Sequence, residues 1–437
     1  MAKLSILGGK RLKGTITPHG AKNEALQVIA ACLLTEDPVR LDNLPRIDDV
    51  LNLLRMVEML GARVEWADEH CCTICARNVS AEALHDPSYA AVASQLRGSV
   101  LLVGPMLARF GEAYVATPGG DKIGRRRLDT HLLGLQALGA TLSHSSSNGG
   151  GYWLRASRLQ GSYMLLDEAS VTGTASIVMA ATAAHGKTTI FNAACEPYVQ
   201  QLCRLLQAMG VKIEGLGSNL LSVYGPNQLH GATHRLLPDM IEVGSFIGLA
   251  ALTQSEITIA HCGYEHLGII PTQFVRLGIA LERRDDNIYI PPDQNYTVET
   301  FIDGSIMTIS DAPWPGLTPD LISVLLVVAT QATGAVLIHQ KMFESRLFFV
   351  DRLIEMGAQI ILCDPHRATV IGLGHRVPLH GAKLVSPDIR AGVALLIAAL
   401  AAQGPSEIDN AEQIDRGYEN IEGRLIALGA DITRLPS

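Results

Sequence analysis

Residues 60–66 read Leu60-Gly61-Ala62-Arg63-Val64-Glu65-Trp66, and two kinds of periodicity meet there. An amphipathic run closes on Leu60, and Gly61 is a natural helix stop because glycine enters the left-handed region without a Cβ penalty. The alternation from Arg63 to Trp66 is the pattern of a half-buried strand. The same Leu/Met-Gly-Ala/Val/Ile triplet closes an amphipathic run at Leu138-Gly139-Ala140, Met209-Gly210-Val211, Leu277-Gly278-Ile279, Met356-Gly357-Ala358 and Leu428-Gly429-Ala430. The spacing of about 70 to 80 residues exceeds that of solenoid repeats. The repeating unit is therefore a small α/β subdomain, used six times.

About half a period before each glycine, a polar group opens a strongly apolar run. The openings are Gly20-Ala21-Lys22-Asn23, Gln95-Leu96-Arg97, Ser170-Val171-Thr172, Pro238-Asp239, Pro319-Asp320 and Pro387-Asp388-Ile389-Arg390. Proline with aspartate beside it is an ordinary helix start. Helices apolar on nearly all faces must be buried, so each unit pairs one buried helix with one amphipathic helix. Six buried helices in two sets of three predict two similar domains. If they run parallel within a domain, their N-termini gather at one end and attract anions toward a cleft, reinforced by Lys22, Arg97 and Arg390. Taken singly, Asp239, Asp320 and Asp388 also read as simple caps.

A chain of 437 residues with 48% hydrophobic content can bury a large core. Its formal charge of -8 argues against general nucleic-acid affinity. Apolar runs such as Leu321 to Thr330 are too short to span a membrane, and no signal-peptide core is present, so a cytoplasmic location is expected. The eight cysteines are scattered, as expected of reduced thiols. His70, Cys71, Cys72 and Cys75 suggest half a zinc site, but without a matching second pair they read as an alternating strand.

Between a strand-like run, Ala113 to Ala116, and an apolar run, Leu132 to Leu138, lies the loop Pro118 to His131, PGGDKIGRRRLDTH. Its glycines allow close backbone approach, and Asp121 stands among Lys122, Arg125, Arg126 and Arg127. That composition suits a small polyanion such as a phosphate ester; a solvated basic patch is the bland alternative.

Taken in order, Gly20 to Asn23, the Pro118 to His131 loop, Cys195-Glu196-Pro197, Leu237-Pro238-Asp239, Phe343-Glu344-Ser345-Arg346, Pro387 to Arg390 and Asp415-Arg416-Gly417-Tyr418-Glu419 resemble the UDP-N-acetylglucosamine enolpyruvyl transferases essentially end to end. The resemblance implies a two-domain inside-out α/β barrel of six βαβαββ repeats, three per domain. One domain would span 22–236 and carry the catalytic loop at about 117–131; 1–21 with 237–437 would form the other, with the active site in the cleft between them. It also implies transfer of the enolpyruvyl group of phosphoenolpyruvate to the 3-hydroxyl of UDP-N-acetylglucosamine by addition and elimination. Phosphate is released, and the step is the first committed one toward peptidoglycan. Neither a metal nor an organic cofactor is implied.

Residue by residue, Lys22, Arg126 and Arg416 match cations around the phosphate of phosphoenolpyruvate, and Arg346 and Arg390 those facing its carboxylate. Arg97 matches a further active-site arginine, Asn23 a sugar contact, and Asp320 the carboxylate that holds the sugar hydroxyl as candidate base. Leu128, Asp129 and His131 lie where the family meets uridine, and Ser170 with Val171 where backbone groups meet the diphosphate. Asp388 would assist proton handling or orient Lys22.

Two positions depart from the family. Most members carry a cysteine at the loop tip, which fosfomycin alkylates and which handles a proton or product release; here it is Asp121. A thiol near pKa 8.5 is protonated at neutral pH, whereas a carboxylate near 3.9 needs roughly 4 kcal/mol to protonate at pH 7, which the bound anions must supply. Resistance to fosfomycin and a more acidic optimum follow as expectations. At Glu168 many relatives place lysine near the nucleotide. Two other readings compete: 5-enolpyruvylshikimate-3-phosphate synthase, which shares the fold, and a non-catalytic sugar-nucleotide sensor, which would need no base at Asp320.

Overall fold

The computed structural model describes residues 2–116, 127–145, 150–226 and 228–435. These divide into two compact units, one formed by 20–116 with 127–237 and the other by 2–19 with 238–435.

All six repeat glycines lie in the left-handed region, with φ of 103° at Gly61, 101° at Gly139, 107° at Gly210, 91° at Gly278, 95° at Gly357 and 103° at Gly429. Each ends a helix with the same pair of bonds. In the first, Gly61 N–H donates to Glu58 O at 2.9 Å and Ala62 N–H to Val57 O at 3.0 Å; in the last, Gly429 and Ala430 donate to Ile426 and Leu425 in the same way. This double bond satisfies carbonyls that a bare helix end would leave open. Strands follow directly, from Arg63–Asp68 in the first repeat to Asp431–Leu435 in the last.

In the 20–237 unit, the buried helices are Lys22–Ala31, Val103–Phe110 and Val171–Ala181. The buried helix expected after Gln95-Leu96-Arg97 begins as a 3-10 segment, Arg97–Leu102, that runs into Val103–Phe110. The helices pack on one another, and Gly104 marks a close crossing: a Cβ there would stand 2.4 Å from Ser176 O. In the other unit Met240–Leu252, Ile322–Ala329 and Ile389–Ala401 pack pairwise, and every residue of the first two is buried.

Among the described residues, six sheets accompany these helices, five of four strands and one of three. Every four-stranded sheet has one parallel edge pair and two antiparallel pairings. Thr233–Arg235 runs parallel to Val39–Asp42, which pairs antiparallel with Cys71–Cys75, itself antiparallel to Arg63–Asp68. The parallel edge strand always precedes a buried helix in the chain: Lys13–Ile16, Tyr163–Leu165, Thr233–Arg235, Met307–Ser310 and Lys383–Val385. In the sheet of Glu112–Ala116, Gly151–Arg155 and Thr141–Ser145 that strand is missing. The residues before Arg97 form instead a 3-10 turn, Ala81–His85, and a helix, Pro87–Ala93. Ser80 and Asp86 cap these two, with Pro87 opening the helix, and this local start chemistry takes the segment out of extended conformation.

The chain passes between the units at 19/20 and 237/238. The edge strand Thr233–Arg235 pairs with Val39–Asp42, so the 20–237 segment closes on itself, and Ala21 N–H donates to Leu237 O at 2.8 Å. Lys13–Ile16 pairs in parallel with Glu256–Ile259 and closes the other unit.

Two glycines with the same φ separate backbone strain from crowding. Around Gly429 nothing lies within 4 Å of an added Cβ, whereas at Gly61 the Cβ would stand 2.4 Å from Asn78 O. Gly429→Ala is expected to cost about 1–2 kcal/mol, and Gly61→Ala clearly more. Guanidinium unfolding of both variants checks this; equal losses would show that crowding at Asn78 contributes nothing.

Candidate active site

In the 20–237 unit, Lys22 is the first residue of its helix and is 8% exposed. Its Nζ lies 2.5 Å from the carboxylate of Asp49, in the first turn of the helix Asp48–Met59. A charge so far out of water needs such a counter-charge. Nothing in the sequence marked Asp49, which reads as an ordinary first-turn acid. Asn23 is half-buried, its carbonyl accepting from Gln27 Nε2 at 3.0 Å. Arg97 opens its 3-10 segment and donates from Nη2 to Arg127 O at 3.3 Å.

The nucleotide candidates come together. Leu128 is buried at the start of the helix Asp129–Ala137, where Asp129 is exposed in the first turn. Ser170 caps the helix Val171–Ala181, accepting from Gly173 N–H at 3.2 Å. Two side-chain bonds tie these helix starts to each other: Thr130 Oγ1 to Asp167 Oδ1 at 2.7 Å, and His131 Nε2 with Thr172 Oγ1 at 2.8 Å. Burial, with the charge of Arg97 adding to it, pushes the His131 ring down to about 3. Glu168 is exposed, its carbonyl accepting from Ser170 N–H at 2.8 Å. Asp121, Lys122, Arg125 and Arg126 lie outside the described residues.

In the other unit the structure gathers Asp320, Arg346 and Arg390. Asp320 was open to reading as a cap, but Thr318 accepts from Asp320 N–H at 3.4 Å at the head of the 3-10 turn Pro319–Leu321. The Asp320 carboxylate instead lies between two guanidiniums: Arg346 Nη2 donates to Oδ1 at 2.6 Å and Arg390 Nε to Oδ2 at 3.1 Å. The three side chains are 17%, 9% and 6% exposed. Burial works against the charge of Arg390, but the negative charge of Asp320, with Tyr418 and Asp239, outweighs it and raises the guanidinium above its ordinary range. Asp239 and Asp388 are caps. Asp239 accepts from Ile241 N–H at 2.8 Å; Asp388 accepts from Arg390 and Ala391 at 2.8 and 3.0 Å and so holds the helix that carries Arg390.

Tyr418 entered the sequence reading only as part of the Asp415–Glu419 motif, without a role, and Ser245 not at all. Arg390 Nη1 is 3.4 Å from the hydroxyl of Tyr418, which pairs with Ser245 Oγ at 2.8 Å. Burial pushes Tyr418 up to about 12 despite the pull of Arg390. Arg416 is half-buried with Nη1 on Gln413 Oε1 at 2.9 Å, and the adjacent Asp415 pairs with Arg434 at 2.8 Å. Among the described residues, no helix is long and apolar enough to cross a membrane.

The family model EPSP synthase (3-phosphoshikimate 1-carboxyvinyltransferase) matches residues 6–425. A UDP-N-acetylglucosamine 1-carboxyvinyltransferase of Bacteroides thetaiotaomicron is 63% identical over 435 residues, covering 100% of both chains. One of Porphyromonas gingivalis is 62% identical with the same coverage. In fold, the enolpyruvyl transferase NikO from Streptomyces tendae matches with a TM-score of 0.86 at 24% identity, covering 100% of this chain and 99% of that one. An EPSP synthase of Acinetobacter baumannii matches with a TM-score of 0.72 at 18% identity, covering 100% of both. Both solved relatives share the two-domain α/β fold, and the chain belongs to the enolpyruvyl transferase family, as a member of its UDP-N-acetylglucosamine 1-carboxyvinyltransferase group.

Proposed function

We infer that this protein transfers the enolpyruvyl group of phosphoenolpyruvate to the 3-hydroxyl of UDP-N-acetylglucosamine, releasing phosphate in the first committed step of peptidoglycan synthesis. Full-length relatives named for this transferase support the reading. The observation that carries it into the structure is the Asp320 carboxylate held between Arg346 and Arg390 at the opening of a buried helix. Arg346 meets one carboxylate oxygen and Arg390 the other, which fixes the plane of the carboxylate that a substrate hydroxyl would approach. In this reading Asp320 takes the proton of the sugar 3-hydroxyl as its oxygen bonds to C2 of phosphoenolpyruvate, and the methylene carbon gains a proton. Elimination then breaks the bond from C2 to the phosphate oxygen, and the new methyl group gives a proton back.

Fixed cations suit both stages because charge on the phosphate and carboxylate is matched before reaction. We assign Lys22, Arg126 and Arg416 to the phosphate, Arg346 and Arg390 to the carboxylate, and Arg97 as a further cation. Asn23 meets the sugar. Leu128, Asp129 and His131 meet the uridine, with the backbone at Ser170 and Val171 on the diphosphate; Asp388 assists proton handling or orients Lys22, besides capping the helix that carries Arg390. Asp121 stands in for the usual thiol, so fosfomycin finds no sulfur to alkylate. A protein with this chemistry works where UDP-sugars and phosphoenolpyruvate are made, which supports a cytoplasmic location.

Phosphate release from the two substrates across pH tests the assignment. The wild type is expected to turn over and to resist fosfomycin. Asp121→Asn should lose roughly 100-fold or more in kcat, the scale of general acid–base catalysis. Asp121→Cys should be active, with its optimum shifted upward, and become sensitive to fosfomycin. Time-dependent inactivation of the wild type, with no gain in Asp121→Cys, would sink the loop assignment; sugar-nucleotide binding without phosphate release in any variant would make the chain a sensor.

A second outcome concerns His131. Because its folded pKa of about 3 lies below the ordinary 6.5, the unfolded chain binds more protons between those values. Stability should therefore fall as pH drops through that window, by up to about 1.4 kcal/mol per unit. His131→Asn should flatten the slope relative to wild type, as urea unfolding between pH 4 and 7 would reveal.

A further inference from the structure

We propose that Asp311, a residue outside the family's charged set described above, is a positioning residue that fixes Arg346 against Asp320. The proposal rests on the reading of Asp320 and Arg346 as substrate-facing groups. Asp311 follows the edge strand Met307–Ser310, and Gln340 follows the neighbouring strand Thr333–His339, to which it is paired in parallel register from Met307↔Val336 to Ser310↔His339. Past these strand ends the chain leaves the sheet on both sides. One segment runs through Leu317 to Asp320; the other, residues 340–346, has neither helix nor strand and ends on Arg346. A segment without a ladder is placed only by its side-chain and backbone contacts.

Asp311 supplies several of those contacts. It is 0% exposed, and its carboxylate accepts from the backbone N–H of Lys341 and of Met342, the latter at 3.1 Å, and from the side-chain amide of Gln340. On its own side, its main chain bridges to Leu317, with Ala312 N–H donating to Leu317 O at 2.9 Å. One carboxylate thus joins the two segments that carry the ion pair Asp320–Arg346. The far end of the 340–346 segment is held separately, by Leu347 and Val350, both 0% exposed. Within the segment Arg346 lies over the ring of Phe343, 4.9 Å from its centroid. At the near end Gln340 is also tied to His366, its N–H donating to His366 O at 2.7 Å and its carbonyl lying 3.1 Å from His366 Nδ1, so the particular part of Asp311 is its grip on Lys341 and Met342, the next residues toward Arg346.

The arrangement is costly, which argues for a use. Burial raises the pKa of Asp311; the N–H bonds of Lys341 and Met342 and the charge of Arg346 pull the other way without cancelling the effect. Its partners are amides rather than a paired cation, and an apolar plug at this position would avoid the penalty. What such a plug could not do is grip two consecutive backbone amides and so set the direction in which the chain leaves toward Arg346.

The experiment is a double-mutant cycle on phosphate release, with Asp311→Asn, Arg346→Ala and the pair. Asparagine keeps the size but turns a donor toward donors. With Arg346 present, Asp311→Asn is expected to lower kcat/KM for phosphoenolpyruvate roughly 10- to 100-fold, the scale of a small misplacement of a reacting group. The KM for UDP-N-acetylglucosamine should move less than about threefold, and in the Arg346→Ala background the same change should cost less than about threefold, since coupled residues are not additive. Equal cost in both backgrounds, or equal loss toward both substrates, overturns the proposal. Should Asp311→Asn not fold, Gln340→Met removes one of the three donors and is held to the same two criteria. A wild type that releases no phosphate would instead refute the function itself, an outcome separate from either.

Discussion

A helix that is apolar on every face can lie only inside a protein, and this chain contains several. Met240–Leu252 buries all of its residues, so no side of it can carry a charge to water or to a substrate. Its polar side chains are Glu242 in the first turn, where open N–H groups need partners in any case, and Ser245, which bonds inside the unit to Tyr418. That single constraint explains why the chemistry of the chain sits where it does. Lys22, Arg97, Ser170, Asp239, Asp320 and Asp388 all stand at such openings; Ser170, Asp239 and Asp388 cap them, while Lys22, Arg97 and Asp320 are left to pair with other groups. The other end of each repeat is closed by glycine, so the surrounding sheets can start within a few residues.

Placing charges at those openings sets an electrostatic problem that each unit solves internally. Lys22 is matched by Asp49, and Arg390 by Asp320 with help from Tyr418. Such pairs are weak sources of stability because desolvation consumes most of the attraction. They hold direction instead. A guanidinium pinned by a carboxylate on one edge presents its remaining N–H groups along fixed lines, which a planar carboxylate or a phosphate can meet in a fork. Among the described residues, the buried Nε of Arg346 meets no hydrogen-bond partner, a donor beyond the one that Asp320 takes.

The six helix stops were legible because the signal is local: a glycine, the apolar residue before it and a small apolar residue after it suffice to define the motif. The helix openings were legible for the same reason. Partners across the fold were not. Asp49 looks like any first-turn acid until Lys22 is seen against it, and Thr172 looks like a helix residue until His131 meets it. Asp311 sits in a loop rich in proline and glycine, where an acid invites no comment, and its partners come from a different strand end. The absent edge strand before Arg97 shows the reverse case, in which the Ser80 and Asp86 caps outweighed the repeat pattern. The alternative of Asp320 as a simple cap does not hold, since Thr318 caps that turn and the cations that take the Asp320 carboxylate lie beyond the reach of local rules.

The route of the chain through its sheets also bears on synthesis. The strand Lys3–Leu7 is interior to its sheet, between Pro405–Asp409 and Asp431–Leu435, with Leu4 opposite both Ile408 and Arg434. A strand made among the first residues thus waits for partners made among the last. The 20–237 segment depends on no such delay, since Thr233–Arg235 completes its own first sheet. On the ribosome, where chains emerge N-terminus first and domains fold as units, the inserted unit can be finished while the host that encloses it in sequence still exposes both edges of its earliest strand. The burden of avoiding misassembly falls on that one short, early strand.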